Sequence, residues 1–192
     1  MAILAMFSLP MISQNSITDT ELDDLSRYLK DSKKDLLNTL KALSDHQINY
    51  KPDDESWSIA EVVEHIALSE SFIFSLAQGA LESPTPDLTK NLTDEQITSI
   101  ITSRETKVKT RPELEPKAYK GSYQEALNDF KQQRKKHIKF LESTDADLRH
   151  HYFEFPFGTA DTYQVMLFMA GHAVRHTKQI QEIKSSLGFP GV

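Results

Sequence analysis

The sequence contains no cysteine, and only 6 of its 192 residues are glycine and 8 are proline. Without cysteine there can be no disulfide, thiolate zinc site or cysteine nucleophile, so any bound metal must use His, Asp or Glu. Basic residues do not outnumber acidic ones. The 22 Lys and Arg residues face 28 Asp and Glu, and the net charge of −6 argues against nucleic-acid binding. No stretch approaches the ~20 apolar residues that a membrane span requires.

The composition is that of one folded domain. Hydrophobic residues make up 39% of the chain and charged residues 26%, which is typical of a globular protein with a core. Residues 1–12 are apolar but have no preceding basic residue and no clear cleavage site, so we expect an N-terminal arm over 1–17. A single domain then covers 18–192. We expect a cytoplasmic protein, and the lack of cysteine leaves a secreted or periplasmic location open.

Helices are indicated by the scarcity of glycine and by apolar residues spaced three and four apart. Helix starts are marked by capping boxes, in which a Ser, Thr or Asp side chain caps the helix and a Glu or Gln three residues later reaches back. Five such pairs are present: Thr18 with Glu21, Ser58 with Glu61, Thr93 with Gln96, Ser122 with Glu125, and Asp161 with Gln164.

The spacing predicts four long helices over about residues 19–44, 58–81, 123–143 and 161–187, the second ending before Pro84. A shorter helix is expected at 94–105, within a long connection over 83–121. The predicted fold is therefore all-α, a four-helix bundle with a long crossover between helices 2 and 3. A loop through residues 150–152 and 155–158 is expected before the fourth helix, and Gly188 is expected to end that helix. On the third helix, we expect the basic residues around Arg134 to face solvent and His137 to lie at the boundary of the core.

Two histidines on the fourth predicted helix interrupt its apolar stripe. His172 and His176 are four residues apart, which places both imidazoles on one helical face. A buried imidazole without a partner costs about 1–3 kcal/mol, so each must bind a hydrogen-bonding group or a metal ion. Spacing alone does not decide between two core histidines and two metal ligands.

A third imidazole is available from His65 on the second helix, which could otherwise be a boundary histidine bonded to water. If helices 2 and 4 pack together, three histidines converge and leave one position open, which is the arrangement of a catalytic metal site. Glu61, one turn earlier, is a candidate general base, although its capping box with Ser58 already explains it. Arg175 and Gln179 flank the histidine pair and could position an anionic substrate.

Other residues fit structural roles. Trp57 precedes the N-cap of the second helix, which is typical of a hydrophobic staple. His46, His150 and His151 lie in predicted turns and loops, and we do not expect them to bind metal.

Residues 57–66, which read Trp-Ser-Ile-Ala-Glu-Val-Val-Glu-His-Ile, resemble the second-helix signature of the DinB-like superfamily. Residues 158–180 are similar to its last helix and include the pattern H-x-x-R-H-x-x-Q-I, and the match spans about residues 20–187. The resemblance implies a four-helix bundle in which His65, His172 and His176 hold a divalent metal ion such as zinc or nickel. It also implies a possible homodimer, because family members are often dimers.

Family members with known activity include thiol-dependent S-transferases and isomerases, and many others are described as metal-dependent hydrolases. We therefore expect a metal-dependent enzyme that acts on a small molecule. Transfer of a low-molecular-weight thiol is the first expectation and hydrolysis the second. In either reaction the ion would lower the pKa of a water molecule or of a thiol. A non-catalytic metal-binding module is the third possibility.

Overall fold

The computed structural model describes residues 17–83, 90–105, 107–118 and 121–191. Within these ranges, six helices and one hairpin make up the fold. The helices are α1 (Asp19–Thr39), α2 (Asp45–Asn49), α3 (Ile59–Glu82), α4 (Asp94–Thr102), α5 (Tyr123–Ser143) and α6 (Thr162–Lys184). Strands β1 (Tyr152–Phe155) and β2 (Gly158–Asp161) pair antiparallel, and a 3-10 turn covers Pro112–Leu114. The predicted N-terminal arm lies outside the described residues, apart from Ile17. Pro84, before which the second helix was predicted to end, lies outside them as well.

All five predicted capping boxes begin helices, each with both of its hydrogen bonds present. A sixth, formed by Ser44 and Gln47, begins α2 and was not predicted. The first helix ends at Thr39 and not near residue 44, because Ala42 takes a φ of +60° in the turn between α1 and α2. The last helix likewise ends at Lys184, three residues before the predicted end.

The four long helices α1, α3, α5 and α6 pack into a bundle. Helices α3 and α5 run in the same direction, because Glu70 meets Arg134 and, further along both helices, Phe74 meets Phe140. Two parallel helices require a connection that returns along the length of the bundle. The segment between α3 and α5 is that connection, so the predicted crossover bundle is confirmed. Within the described ranges, no helix is long and apolar enough to span a bilayer.

The core consists of two apolar clusters with a polar layer between them. The first includes Leu29 of α1 and Met169 of α6, and the second includes Leu36 and Ile180 of the same two helices. In each long helix, buried or half-buried polar or ionisable residues lie between the parts that belong to the two clusters. These residues, the polar layer, are Ser32 of α1, Ser69 and Glu70 of α3, Arg134 and His137 of α5, and His172 and His176 of α6.

Two predictions about α5 were wrong. Arg134 is fully buried and does not face solvent, because its guanidinium is paired with Glu70 and also donates to Ser32 and to the Leu29 carbonyl. His137 is buried and is not at the boundary, because its ring binds the same Glu70 carboxylate. A long side chain with fixed partners from two neighbouring helices can be drawn into the core in spite of its charge.

The predicted loop before α6 contains the β1–β2 hairpin. Strand β2 is almost entirely buried. Asn91 binds it through two hydrogen bonds: the backbone amide of Asn91 donates to the Thr159 carbonyl, and the backbone amide of Thr159 donates to Asn91 Oδ1. Gly158, at the start of this strand, has a φ of +146°, and a Cβ there would lie 2.7 Å from Asn91 Oδ1. The tight fit against residue 91 therefore requires glycine at this turn.

Candidate metal centre

Three histidine rings converge inside the bundle. His65 comes from α3, and His172 and His176 come from α6. Each ring offers one nitrogen, and the three nitrogens lie within 4.8 Å of one another. The Nε2 atoms of His172 and His176 are 3.2 Å apart. The structure thus brings together the three residues that the sequence singled out.

Local structure accounts for this convergence. The capping box at Ser58 begins α3 two turns before His65, and the four-residue spacing stacks the two histidines of α6. Helix α3 packs on α6, so that the His65 ring lies 5.1 Å from that of His172 and 4.6 Å from that of His176. Trp57 covers His65, with its ring centroid 4.9 Å from the imidazole, so the predicted helix anchor also forms part of the wall of the cluster.

Hydrogen bonds fix the protonation of two of the rings. His65 Nδ1 lies 2.8 Å from the carbonyl oxygen of Leu114, and a carbonyl can only accept. His176 Nδ1 lies 2.8 Å from Gln179 Oε1, which is also an acceptor. Each Nδ1 therefore carries the proton and donates it, which leaves Nε2 unprotonated and able to bind a metal ion. Metal-binding histidines in proteins almost always donate their second ring nitrogen in this way. In the structure Nε2 of His65 lies 3.5 Å from Ser69 Oγ, a neighbour on the same helix.

Burial keeps the rings uncharged. It lowers the pKa of His172 and of His176 well below the ordinary histidine value, and repulsion from His65 adds to the effect at both rings. Burial also lowers the pKa of His65, against the opposing effect of its bond to Leu114. All three imidazoles are therefore neutral near pH 7, which is the form that binds metal.

The donor set fits a divalent transition-metal ion. Two imidazole nitrogens at about 2.0–2.1 Å from a tetrahedral zinc ion are separated by roughly 3.4 Å, close to the spacing of the His172 and His176 nitrogens. Three protein ligands leave a fourth position for water or substrate, as in catalytic sites. His65 and His176 are buried and His172 is half-buried, so His172 is the most accessible of the three residues.

Glu61 lies outside the cluster. Its carboxylate accepts the Ser58 amide at 2.7 Å and binds Lys51 at 2.8 Å, which satisfies the capping box. A general-base role for it stays a prediction. Gln179 was predicted to flank the site, and it contacts His176 directly. Arg175, the other flanking residue, is buried rather than at the surface.

The remaining histidines have other surroundings. His46 is exposed on α2 and His150 binds Asp147, whereas His151 donates to the carbonyl groups that end α3. None of them joins the converging group found among the described residues. The residue that sequence reasoning missed is Leu114, because a backbone carbonyl has no signature in the sequence.

Comparison with known proteins shows similarity in sequence and, separately, similarity in fold. Residues 28–180 match the model of the DinB superfamily. The uncharacterized protein YuaE of Bacillus subtilis (strain 168) is 30% identical over 155 residues, which cover 78% of this chain and 91% of that protein. YfiT of Bacillus subtilis, described as a probable metal-dependent hydrolase with an unusual four-helix bundle topology, has a solved structure that matches with a TM-score of 0.61. The match covers 92% of this chain and 93% of YfiT at 17% identity, so it establishes the likeness of fold.

Proposed function

We propose that this chain, which belongs to the DinB superfamily, is a metal-dependent hydrolase that binds its divalent ion through His65, His172 and His176. The observation that carries the proposal is the convergence of three neutral imidazoles, two of which have hydrogen bonds that leave Nε2 unprotonated. The description of YfiT, which has the same fold, as a probable metal-dependent hydrolase supports the choice of reaction.

Each residue has a defined part in this proposal. Leu114 and Gln179 hold the rings of His65 and His176 in the tautomer that can bind an ion. Trp57 shields His65 from bulk water. When bound, the divalent ion supplies a Lewis acid that activates water and polarises the group under attack. In hydrolysis of an ester or amide, the oxygen of water forms a bond to the acyl carbon. The bond from that carbon to the alcohol or amine breaks, and the departing group takes up a proton from the water.

The order of the two enzymatic hypotheses is reversed relative to the sequence expectation. Transfer of a low-molecular-weight thiol was the first expectation from the resemblance, but the likeness to YfiT supports hydrolysis and adds nothing for a thiol. Hydrolysis is therefore our proposal, and thiol transfer stays a prediction. Zinc and nickel are the proposed ions, because imidazole nitrogen suits both.

Elemental analysis of purified protein, prepared without a histidine tag, tests the metal site. We expect about one zinc or nickel ion per chain, lost in His65→Ala and in His176→Ala. His46→Ala is the matched control, because it removes an exposed histidine outside the cluster and should keep the metal. Circular dichroism checks that each variant is folded. A wild-type protein that takes up no metal, even on reconstitution, would overturn the proposal.

Activity assays then separate the three functions. A hydrolase cleaves ester or amide probes when loaded with metal and without any thiol, and it loses this activity in His172→Ala. A requirement for a small thiol would instead establish the transferase. Tight metal binding with neither activity would indicate a non-catalytic module.

A further inference from the structure

A row of aromatic rings leads from the hairpin to the candidate metal centre. Phe157 lies in the turn between β1 and β2, next to Phe155 at the end of β1, and Phe168 lies on α6 one turn before His172. The ring centroids of Phe155 and Phe157 are 4.9 Å apart, those of Phe157 and Phe168 6.1 Å, and those of Phe168 and His172 6.4 Å. The angles between the planes of these three pairs are 10°, 21° and 28°. Phe155 also contacts Phe168 directly, with centroids 4.9 Å and planes 31° apart. The three phenylalanine rings therefore pack against one another, and Phe168 joins them to His172; we call these four rings the aromatic row.

The aromatic row lies where solvent can reach it. Phe157 is 40% exposed, although a phenylalanine is stabilised by burial. Phe155 and Phe168 are partly buried, with one side packed on the core. The row ends at His172, which is the most accessible of the three histidines. The row therefore meets the candidate metal centre through one ring contact, between Phe168 and His172.

The position of Phe157 is fixed by its surroundings. Gly158, directly after it, fits closely against Asn91 and Leu92, and Thr159 is bonded to Asn91 through both its amide and its carbonyl. The exposed ring is consequently presented by a well-anchored turn. A preorganised apolar surface loses little conformational freedom when a ligand binds, which favours affinity.

We propose that Phe155, Phe157 and Phe168 bind a planar aromatic group of the substrate, placed beside the bond that reacts near His172. The inference rests on the proposed hydrolase function and names its substrate class, esters or amides that carry an aromatic ring close to the scissile bond. The exposed part of Phe157, backed by Phe155 and Phe168, can stack with a further flat ring, because aromatic pairs favour offset stacking at centroid distances of 4.5–7 Å. Substrate pockets generally combine such apolar walls with a few polar or metal groups that fix orientation.

Direct binding tests the aromatic row without any reaction. The probes are two ketones that cannot be hydrolysed, 4-phenyl-2-butanone and 2-pentanone. Both are methyl ketones, and only the first carries a phenyl ring at the end of its chain. By ligand-observed NMR titration of the full-length protein as purified, we expect the phenyl ketone to bind about tenfold more tightly. The preference should fall to about twofold or less in Phe157→Ala and be retained in Phe157→Trp. Equal binding of the two ketones to the wild type, or a preference unchanged in Phe157→Ala, would overturn the proposal.

Leu187→Ala is the matched control. Leu187 is a fully exposed apolar residue beyond the end of α6, so its removal also reduces apolar surface but at the far end of the bundle from the hairpin. The preference for the phenyl ketone should be unchanged in this variant. An equal loss in Leu187→Ala and Phe157→Ala would show that the ring binds exposed apolar surface without selectivity and would refute the proposed site.

Turnover provides the second arm. Benzyl acetate and ethyl acetate have leaving groups of similar reactivity, so the ratio of their kcat/KM values reports recognition of the ring. We expect this ratio to fall about tenfold in Phe157→Ala at unchanged metal content. If neither ester is cleaved but the ketone preference is present and depends on Phe157, the hydrolase proposal fails and the aromatic site stands. If both esters are cleaved at a ratio that Phe157→Ala does not change, the hydrolase proposal stands and the aromatic site fails.

Discussion

Arg134 of α5 and Glu70 of α3 form a two-point ion pair inside the bundle, with Nε 2.6 Å from Oε1 and Nη2 2.7 Å from Oε2. Burial by itself would raise the pKa of Glu70, but the charge and hydrogen bonds of Arg134, with a further bond from His137, hold it below the ordinary value. Arg134 also donates to α1, through Ser32 Oγ at 2.7 Å. Three helices are therefore joined in the polar layer that also contains two of the candidate ligands, His172 and His176.

Removing one member of this pair should be costly. We expect Arg134→Met to lower the free energy of unfolding by about 3–5 kcal/mol, because it leaves a buried carboxylate without its partner. Urea unfolding at pH 7 measures the change. In the control Lys30→Met, which removes an exposed pair between Lys30 and Glu142, the loss should stay under about 1 kcal/mol. Similar losses in the two variants would contradict the role given to the buried pair.

Two glycines in helices should respond oppositely to alanine. In Gly171→Ala the new Cβ would lie 2.4 Å from Cγ2 of Ile101 on α4, so either the Ile101 side chain or the whole helix must shift. We expect the free energy of unfolding to fall by about 1–3 kcal/mol. At Gly79 nothing lies within 4 Å of the added atom, and Gly79→Ala should stabilise the protein by up to about 1 kcal/mol through helix propensity. Thermal unfolding of the two variants checks the signs. A stabilised Gly171→Ala would show that the contact between α4 and α6 is looser than described.

The ion pairs of Arg149 should make stability depend on pH. Its guanidinium binds Glu21, Asp94 and Asp161, with Nη2 2.5 Å from Glu21 Oε1 and 2.8 Å from Asp94 Oδ2, and Nη1 2.9 Å from Asp161 Oδ2. Burial alone would raise the pKa of Glu21 and of Asp94. At Glu21 this effect is outweighed by hydrogen bonds from Thr18 and Arg149. At Asp94 it is outweighed by hydrogen bonds from Arg149 and Gln164. The pKa of each carboxyl group is therefore lowered.

Carboxyl groups with a lowered pKa in the folded state stabilise it above their ordinary pKa, and this stabilisation is lost as the pH falls through the lowered value. We therefore expect Arg149→Met to be clearly less stable than the wild type at pH 7 and the difference to shrink below about pH 4. Urea unfolding as a function of pH gives the two curves. Arg27→Met, which breaks a pair with Asp24 on the exposed face of α1, should show no such convergence. Parallel curves for Arg149→Met and the wild type would refute the assignment.

Trp57 should report binding of an ion at the candidate metal centre. It is the only tryptophan in the chain, and its ring lies 4.9 Å from that of His65. Because Ni²⁺ quenches indole emission at short range, we expect Trp57 fluorescence to fall on addition of nickel and to recover with a chelator. His176→Ala, which retains Trp57 and His65, should lose this response. Quenching of equal size in His176→Ala would place the bound nickel elsewhere.

Local patterns explain why much of the architecture could be predicted. A capping box needs only residues three apart, and all five predicted boxes begin helices. The stacking of His172 on His176 depends only on the helical repeat. The convergence of these two with His65 required one further assumption, that the second and fourth long helices pack together, and the structure confirms it.

Long-range partners explain what could not be predicted. Arg134 lies in a basic stretch typical of a solvated helix face, and its burial depends on Glu70, which is 64 residues away in the sequence. The hairpin has strands of only four residues, and its pairing depends partly on Asn91, 68 residues before Thr159. In both cases a polar residue is placed by a partner that no local window contains.

The bond between His65 and Leu114 has a consequence for mutagenesis. The acceptor is a main-chain carbonyl, so replacing the leucine side chain does not remove it, and an alanine or saturation scan at position 114 can leave ring orientation unchanged. A survey based on side-chain replacement would therefore score the residue as tolerant even though its peptide group orients a candidate ligand. Backbone chemistry reaches this contact, since an ester in place of the amide between residues 114 and 115 weakens the carbonyl as an acceptor. Tolerance to substitution and contribution to the site are thus separate properties at this position.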